Sequence, residues 1–258
     1  MPGCPTYSSP RHEAVPNAGD ITGLLEVDKR ILVFFEKRET ADAFSIAAAE
    51  DPIIHNCAVY HSHLPTTGTN SKAYNLSLWD SGRSQVMAAT AAAGQGIDRP
   101  HVKFVIIHGH TYGMTSYIQQ GGHGGRGGHP SYVILLRDPC ILRQTHPGKE
   151  GDLDVNCVSP FLKYTANKNV CWRKMLLNTM DGEAQSVGCR DLPRCNPCNI
   201  CDPDSDMLRD ILLHPWSYLG ARALLYFYSA SMCTTGPLTV PTGLTRQLPL
   251  SRYLAVTS

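Results

Sequence analysis

The stretch QVMAATAAAGQGIDRP (residues 85–100), followed by HVKFVIIHG (101–109) and TSYIQQGGHGGRGG (115–128), decides the fold. Residues 85–90 form a short apolar run ending on Thr90. It gives way to Gly94-Gln95-Gly96-Ile97-Asp98, a loop broken by glycines and closed by an acid. A second apolar run, 104–109, leads into a short helical segment that ends in a glycine-rich turn carrying His123 and Arg126. Short apolar runs bounded by polar turns are the mark of strands buried on both faces, so the stretch predicts a parallel α/β sheet. Glycine lets backbone N–H groups come close to phosphate, and a guanidinium beside them binds phosphate oxygens in a planar fork. Two readings of the turn stand: a nucleotide or nucleic-acid phosphate site, and a plain surface loop.

Working outward, ILVFF (31–35) has the continuous apolar character of a buried parallel strand, and 39–50 carries Ala41, Phe44, Ala47 and Ala48 at helical spacing until Pro52 closes it. CAVYH (57–61) reads as the next strand, and strand, helix, strand is the right-handed unit of a parallel sheet. Residues 70–80 predict an amphipathic helix with Tyr74, Leu78 and Trp79 inward. With 86–90, 104–109 and 132–137, the expectation is a sheet of five strands with helices between them. Ligands of such open sheets bind at the carboxyl ends of the strands, where Thr90, Gly96, Asp98 and residues 119–126 are expected to collect. Over 138–166 the pattern weakens, and HPGKEGD (146–152) reads as a surface turn. Gly148-Lys149 is followed by Glu150, so it is not a phosphate-binding P-loop, and no G-x-x-x-x-G-K-[ST] or Asp-Glu-x-His occurs in the sequence.

Ten cysteines in a chain of 258 residues point to metal ligands or free thiols in a reducing compartment. Cys195, Cys198 and Cys201 recur in a polar, proline-containing loop, and Cys171 sits in a predicted helix over 167–180 with Val170, Leu176 and Leu177 inward. Four such thiols complete a tetrahedral zinc set, and the alternative is free thiols or adventitious disulfides. Cys189 competes with Cys171 but is assigned, with Cys4, Cys57, Cys140, Cys157 and Cys233, to the non-ligands.

The net charge of +1 argues against strong autonomous nucleic-acid binding and confines any such surface to a local patch. Residues 1–20 are polar and rich in Pro, Ser and Asn without a signal-peptide pattern, which predicts a disordered leader on an intracellular protein. The apolar run 218–232 is short and holds Arg222, so no membrane span is expected.

The ordered pair Thr90-x-x-x-Gly94-x-Gly96-Ile97-Asp98-x-Pro100 and Gln119-x-x-Gly122-x-x-Gly125-Arg126 resembles motifs five and six of superfamily-two helicases. Val102, Phe104, Val105 and the run after Gly128 resemble the RecQ branch, as does Tyr60-His61-Ser62-His63-Leu64. A helix-borne cysteine before Cys-x-x-Cys-x-x-Cys is similar to the RecQ zinc subdomain, and the resemblance covers residues 29–201. It implies a leader (1–24), a RecA-like helicase C-terminal domain (25–140), a small helical zinc subdomain (141–205) and a helical or irregular tail (206–258). The implied function is the C-terminal portion of a nuclear, ATP-dependent 3′–5′ DNA helicase, inactive alone. ATP and Mg²⁺ would bind only with a first RecA-like lobe, which a partner chain could supply.

The resemblance assigns Arg126, Gln119 and His123 to catalysis, Gly96, Asp98 and Arg126 to ATP, His61, Ser62 and Thr90 to DNA, and Cys171, Cys195, Cys198 and Cys201 to structural zinc. Read from the residues alone, His61 and His63 are strand-end polar groups. The chain also departs from the family pattern: His123 stands where an arginine is usual, Gln120 for a glutamate and Gly127 for an acid. Imidazole has an ordinary pKa near 6.5 and lacks the guanidinium fork. The alternative function is a catalytically dead, zinc-stabilised module that binds nucleic acid or protein.

Overall fold

The structure is a computed structural model that describes residues 30–49, 56–91, 93, 97–109, 111–126, 131–136, 158–192 and 197–203, together with the backbone of 254–257. The ILVFF run forms β1 (Arg30–Phe35), buried along its whole length. Successive side chains of a strand point to opposite faces, and both faces of β1 are apolar. Ile31, Val33 and Phe35 pack with Ala41, Phe44 and Ala48 of α1 (Arg38–Ala49), whereas Leu32 and Phe34 join a second cluster beneath the remaining helices.

The chain continues through β2 (Cys57–Tyr60), α2 (Lys72–Asp80), β3 (Val86–Ala89), β4 (Val102–His108), α3 (Met114–Gly121) and β5 (Tyr132–Leu136), then α4 (Val158–Ala166) and α5 (Trp172–Asp181). The sheet order is β2-β3-β1-β4-β5, all parallel, with β6 (Leu254–Thr257) added antiparallel to β5. Moving from β1 outward to β2 and then back through β3 and β4 reverses the crossover direction. Right-handed connections therefore put α1 on one face and α2 and α3 on the other.

Four local expectations change. In α2 the buried residues are Asn75 and Trp79, while Tyr74 is 38% exposed. Ser71 caps the helix by accepting from the Tyr74 N–H, and Asn75 turns inward, where its Oδ1 lies 3.5 Å from the Val59 amide. Helix α4 arises within the stretch whose pattern looked weak, burying Phe161, Tyr164 and Thr165 at three- and four-residue spacing. In α5, Trp172 is the buried side chain, and Val170 precedes the helix and is exposed. The strand β6 falls in the tail expected to be helical or irregular. It pairs with the edge of β5, whose backbone groups any extended segment can satisfy. The leader, the 146–152 turn and the 218–232 run lie outside the described residues.

The second cluster does not stop at the sheet. Leu32, Val105, Ile107 and Leu135 are continuous with Tyr117 of α3, Phe161 and Tyr164 of α4, Trp172 of α5, and Cys189 and Cys198. The rings meet in sequence at tilted angles, Tyr117 to Tyr164 at 5.2 Å and Tyr164 to Trp172 at 4.6 Å. The cysteine-bearing segment thus sits on the α3 face of the sheet.

Candidate nucleotide-facing turn and metal-binding cysteines

Helix α3 leaves the carboxyl end of β4, runs back along the sheet, and delivers the glycine-rich turn to the amino end of the strands. There the Gly125 N–H donates to the carbonyl of Val102, the first residue of β4, at 3.3 Å. Gly125 takes φ +69°, a conformation that disfavours other side chains, and a Cβ at Gly124 would sit 2.9 Å from Ser131 Oγ. The turn is therefore pressed against the sheet, and its last residue, Arg126, projects from the edge. Arg126 Nε donates to the Gly122 carbonyl at 3.0 Å, and Nη1 donates to Asp98 Oδ1 at 2.9 Å. Asp98 comes from the loop just before β4, so two residues 28 apart in sequence meet at one spot. Both stay open to solvent, with side chains 38% and 80% exposed. Beside them Arg99 grips both carboxylate oxygens of Asp80 at 2.6 Å.

The expected carboxyl-end site is thereby corrected. Asp98 and Arg126 share the amino rim, whereas Thr90 follows β3 on the opposite, carboxyl rim, where its N–H donates to Tyr60. The seven residues of β4 span about 23 Å at ~3.3 Å each, so the two rims are separate surfaces. Gly96 lies outside the described residues. Gln119 is exposed on the last turn of α3, and Gln120 is buried with its amide donating to Ser116 Oγ at 3.2 Å. His123 does not share the rim with Arg126: it is 1% exposed, with its ring 5.8 Å from that of Phe34. A residue so enclosed cannot reach across a cleft.

On the carboxyl rim, Ser62 and His63 are exposed, joined by a 3.1 Å contact between Oγ and Nδ1. His61 is 5% exposed, and its Nε2 lies 3.0 Å from Asp42 Oδ1, so it faces α1 and is not presented at the surface.

The thiol cluster differs from the expected set. Cys171, Cys189, Cys198 and Cys201 bring their sulfurs within 4.8 Å of one another. The Cys171 sulfur is 3.5 Å from that of Cys189 and 4.0 Å from that of Cys198. A tetrahedral ion bonded at about 2.3 Å to each thiolate requires sulfurs about 3.8 Å apart, whereas a disulfide requires about 2.05 Å. The spacing fits an ion. Cys189, set aside because it lies outside the resembled family pattern, belongs to the cluster: a short 3-10 turn (Cys189–Asp191) holds it there, fastened by the Gly188 N–H donating to Asp191 Oδ2 at 2.6 Å. Cys195 lies outside the described residues, and four thiols already fill a tetrahedral shell.

Backbone amides prepare the sulfurs for negative charge. The Cys189 N–H reaches Cys171 Sγ and the Cys198 N–H reaches Cys189 Sγ, each at 3.3 Å. The Cys198 thiol is held well below the usual thiol range by the Cys189 thiol and then by nearby backbone N–H groups, while burial pushes Cys201 up. No feature of the Cys-x-x-Cys spacing points to Cys189, because its position depends on the 3-10 turn that it opens.

The helicase conserved C-terminal domain family matches residues 18–128. The chain is 30% identical over 167 residues to a RecQ-like DNA helicase of Caenorhabditis elegans, covering 57% of this chain and 16% of that one. It is 29% identical over 163 residues to the ATP-dependent helicase SGS1 of Saccharomyces cerevisiae, covering 58% and 11% respectively. It thus spans less than a fifth of either relative. Among solved structures it is similar to the Mycobacterium smegmatis helicase Lhr bound to ssDNA and AMP-PNP, at 24% identity and a TM-score of 0.36 over 48% of this chain and 17% of that one. Over residues 18–128 the chain thus matches the helicase conserved C-terminal domain family, and it is similar to RecQ-like DNA helicases over somewhat more than half of its length.

Proposed function

We propose that this chain acts as the second lobe of a nuclear, ATP-dependent 3′–5′ DNA helicase, presenting Arg126 to a nucleotide held by a first lobe. The observation that carries this is the 2.9 Å contact between Arg126 and Asp98, which fixes a guanidinium at the open edge of the sheet. Such an arginine stabilises charge on a transferring phosphoryl group, and Asp98 holds it ready until phosphate oxygens compete for it. Gln119, exposed on the adjoining helix end, and Gly96 complete the nucleotide side. Ser62 and Thr90, on the other rim, touch the DNA backbone with His61 behind them. ATP with Mg²⁺ is bound jointly with the first lobe, so the chain alone turns over no ATP.

Cys171, Cys189, Cys198 and Cys201 hold a structural zinc ion, whose soft four-thiolate shell leaves no open position for chemistry. When bound, zinc ties α5 to the loop that follows it. A second reading, a zinc-stabilised binding module without turnover, is favoured by the burial of His123 at a position where the family usually has an arginine.

DNA-dependent phosphate release by zinc-replete chain, alone and with a first lobe added in trans, tests the proposal. Release that appears only with both DNA and the added lobe supports the second-lobe role. DNA binding with no turnover in either case supports the module.

A further inference from the structure

The carboxyl rim holds one feature that the nucleotide and DNA-backbone residues do not use. Tyr112, in the loop between β4 and α3, is 58% exposed although its neighbours Thr111 and Gly113 are buried. The described residues on either side of Tyr112 are tied into the fold. The Thr111 hydroxyl donates to the Gly113 carbonyl at 2.8 Å, the Gly109 N–H donates to Leu136 at 2.9 Å, and the Tyr117 N–H donates to Gly113 at 3.0 Å. Gly109 and Gly113 adopt φ of +81° and +109°, turns that a side chain would strain, and the next residue, Met114, is fully buried. A phenol ring is held out in water by a loop pinned at both ends.

Its surroundings carry a consistent chemistry. From the edge inward, the carboxyl ends of the strands present Ser62 and His63 after β2, Thr90 after β3, Lys37 and Arg38 after β1, and Tyr112 after β4. Adjacent strands lie about 4.8 Å apart, so this row runs about 14 Å across the sheet. Of its acids, Glu39 is paired with Arg38 and Asp42 with His61, and Glu36 lies next to Lys37 in the chain. Hydroxyls of Ser62 and Thr90 and the exposed Lys37 ammonium thus run up to an exposed aromatic face, a combination that can hold a single strand by phosphate contact and base stacking.

We infer that Tyr112 is a stacking platform for an unpaired base, which makes the carboxyl rim a site for single-stranded DNA. The inference rests on the DNA-binding role proposed above and adds to it the residue that recognises bases. Duplex DNA, whose bases are already stacked, gains nothing from the ring.

The test is binding of the full zinc-replete chain to a fluorescent oligothymidylate and to a duplex, with a 2-aminopurine version of the single strand to report stacking. Y112A is expected to weaken single-strand binding roughly 5- to 150-fold, the range for loss of one base–aromatic stack, with an unchanged salt slope because no phosphate contact is lost. Y112F should retain wild-type affinity and 2-aminopurine quenching, and duplex affinity should not move. Equal losses for single strand and duplex, or a Y112A chain that binds and quenches like the wild type, would overturn the stacking role alone. A wild-type chain that binds neither DNA would overturn the DNA reading and this inference with it.

Discussion

The cysteine cluster and the arginine turn are built in opposite ways. The four thiols converge from α5, a 3-10 turn and the following loop, with Cys189 and Cys198 buried and backbone amides already aimed at sulfur. Every group such an ion needs lies within the chain. At the turn, Arg126 and Asp98 face outward and satisfy each other across the edge of the sheet. The contrast is between a cluster closed in on itself and a pair of charges turned to solvent.

The largest effect should come from Cys189→Ser, which removes a ligand that spacing alone does not identify. Metal content measured by mass spectrometry should fall to zero and the α5 segment should melt, since structural zinc supplies on the order of 10 kcal/mol to folding. Cys195→Ser should keep full metal content; a loss there would put Cys195 in the shell and Cys189 outside it. Next, Arg126→Ala, assayed with a first lobe present, should lower DNA-dependent ATP turnover by about 10³- to 10⁵-fold while leaving the melting temperature unchanged. Retained turnover would show that the turn faces no nucleotide.

A smaller change is expected from His123→Arg. The ring lies at 1% exposure against Phe34, and a guanidinium placed there loses its water with the neutral Gln120 nearby in the turn. The protein should lose several kcal/mol in urea unfolding, and unchanged stability would mean that position 123 opens to the rim after all. The smallest effect belongs to Asp98→Asn. An exposed pair is worth at most about 1 kcal/mol, so stability should barely shift while phosphate affinity at Arg126 rises modestly. A large drop in melting temperature would make the pair part of the fold's support.

The meeting of Asp98 with Arg126 was legible because each sits in a glycine-marked loop flanking a recognisable strand. The rim on which they meet was not, because it depends on α3 reversing the chain between β4 and the turn. His123 and Arg126 look equivalent in sequence, three residues apart in a glycine run. Only the packing of the turn onto Phe34 sends one inward and the other out. The helix α4 was hidden by Pro160 and its short length, and the inner face of α2 was misjudged because a polar residue, Asn75, holds it. Buried asparagine and clustered thiols follow from tertiary partners, which hydrophobic spacing does not record.

The run of contacting rings from Tyr117 to Trp172 bears on how the chain can be dissected. A cut between β5 and α4 would not yield two self-sufficient pieces. The upstream piece would leave the α3 side of its sheet wet and prone to sticking, and the downstream piece would have nothing to rest on. Any shortened version meant to study the Asp98–Arg126 edge in isolation has to keep the thiol-bearing segment as well.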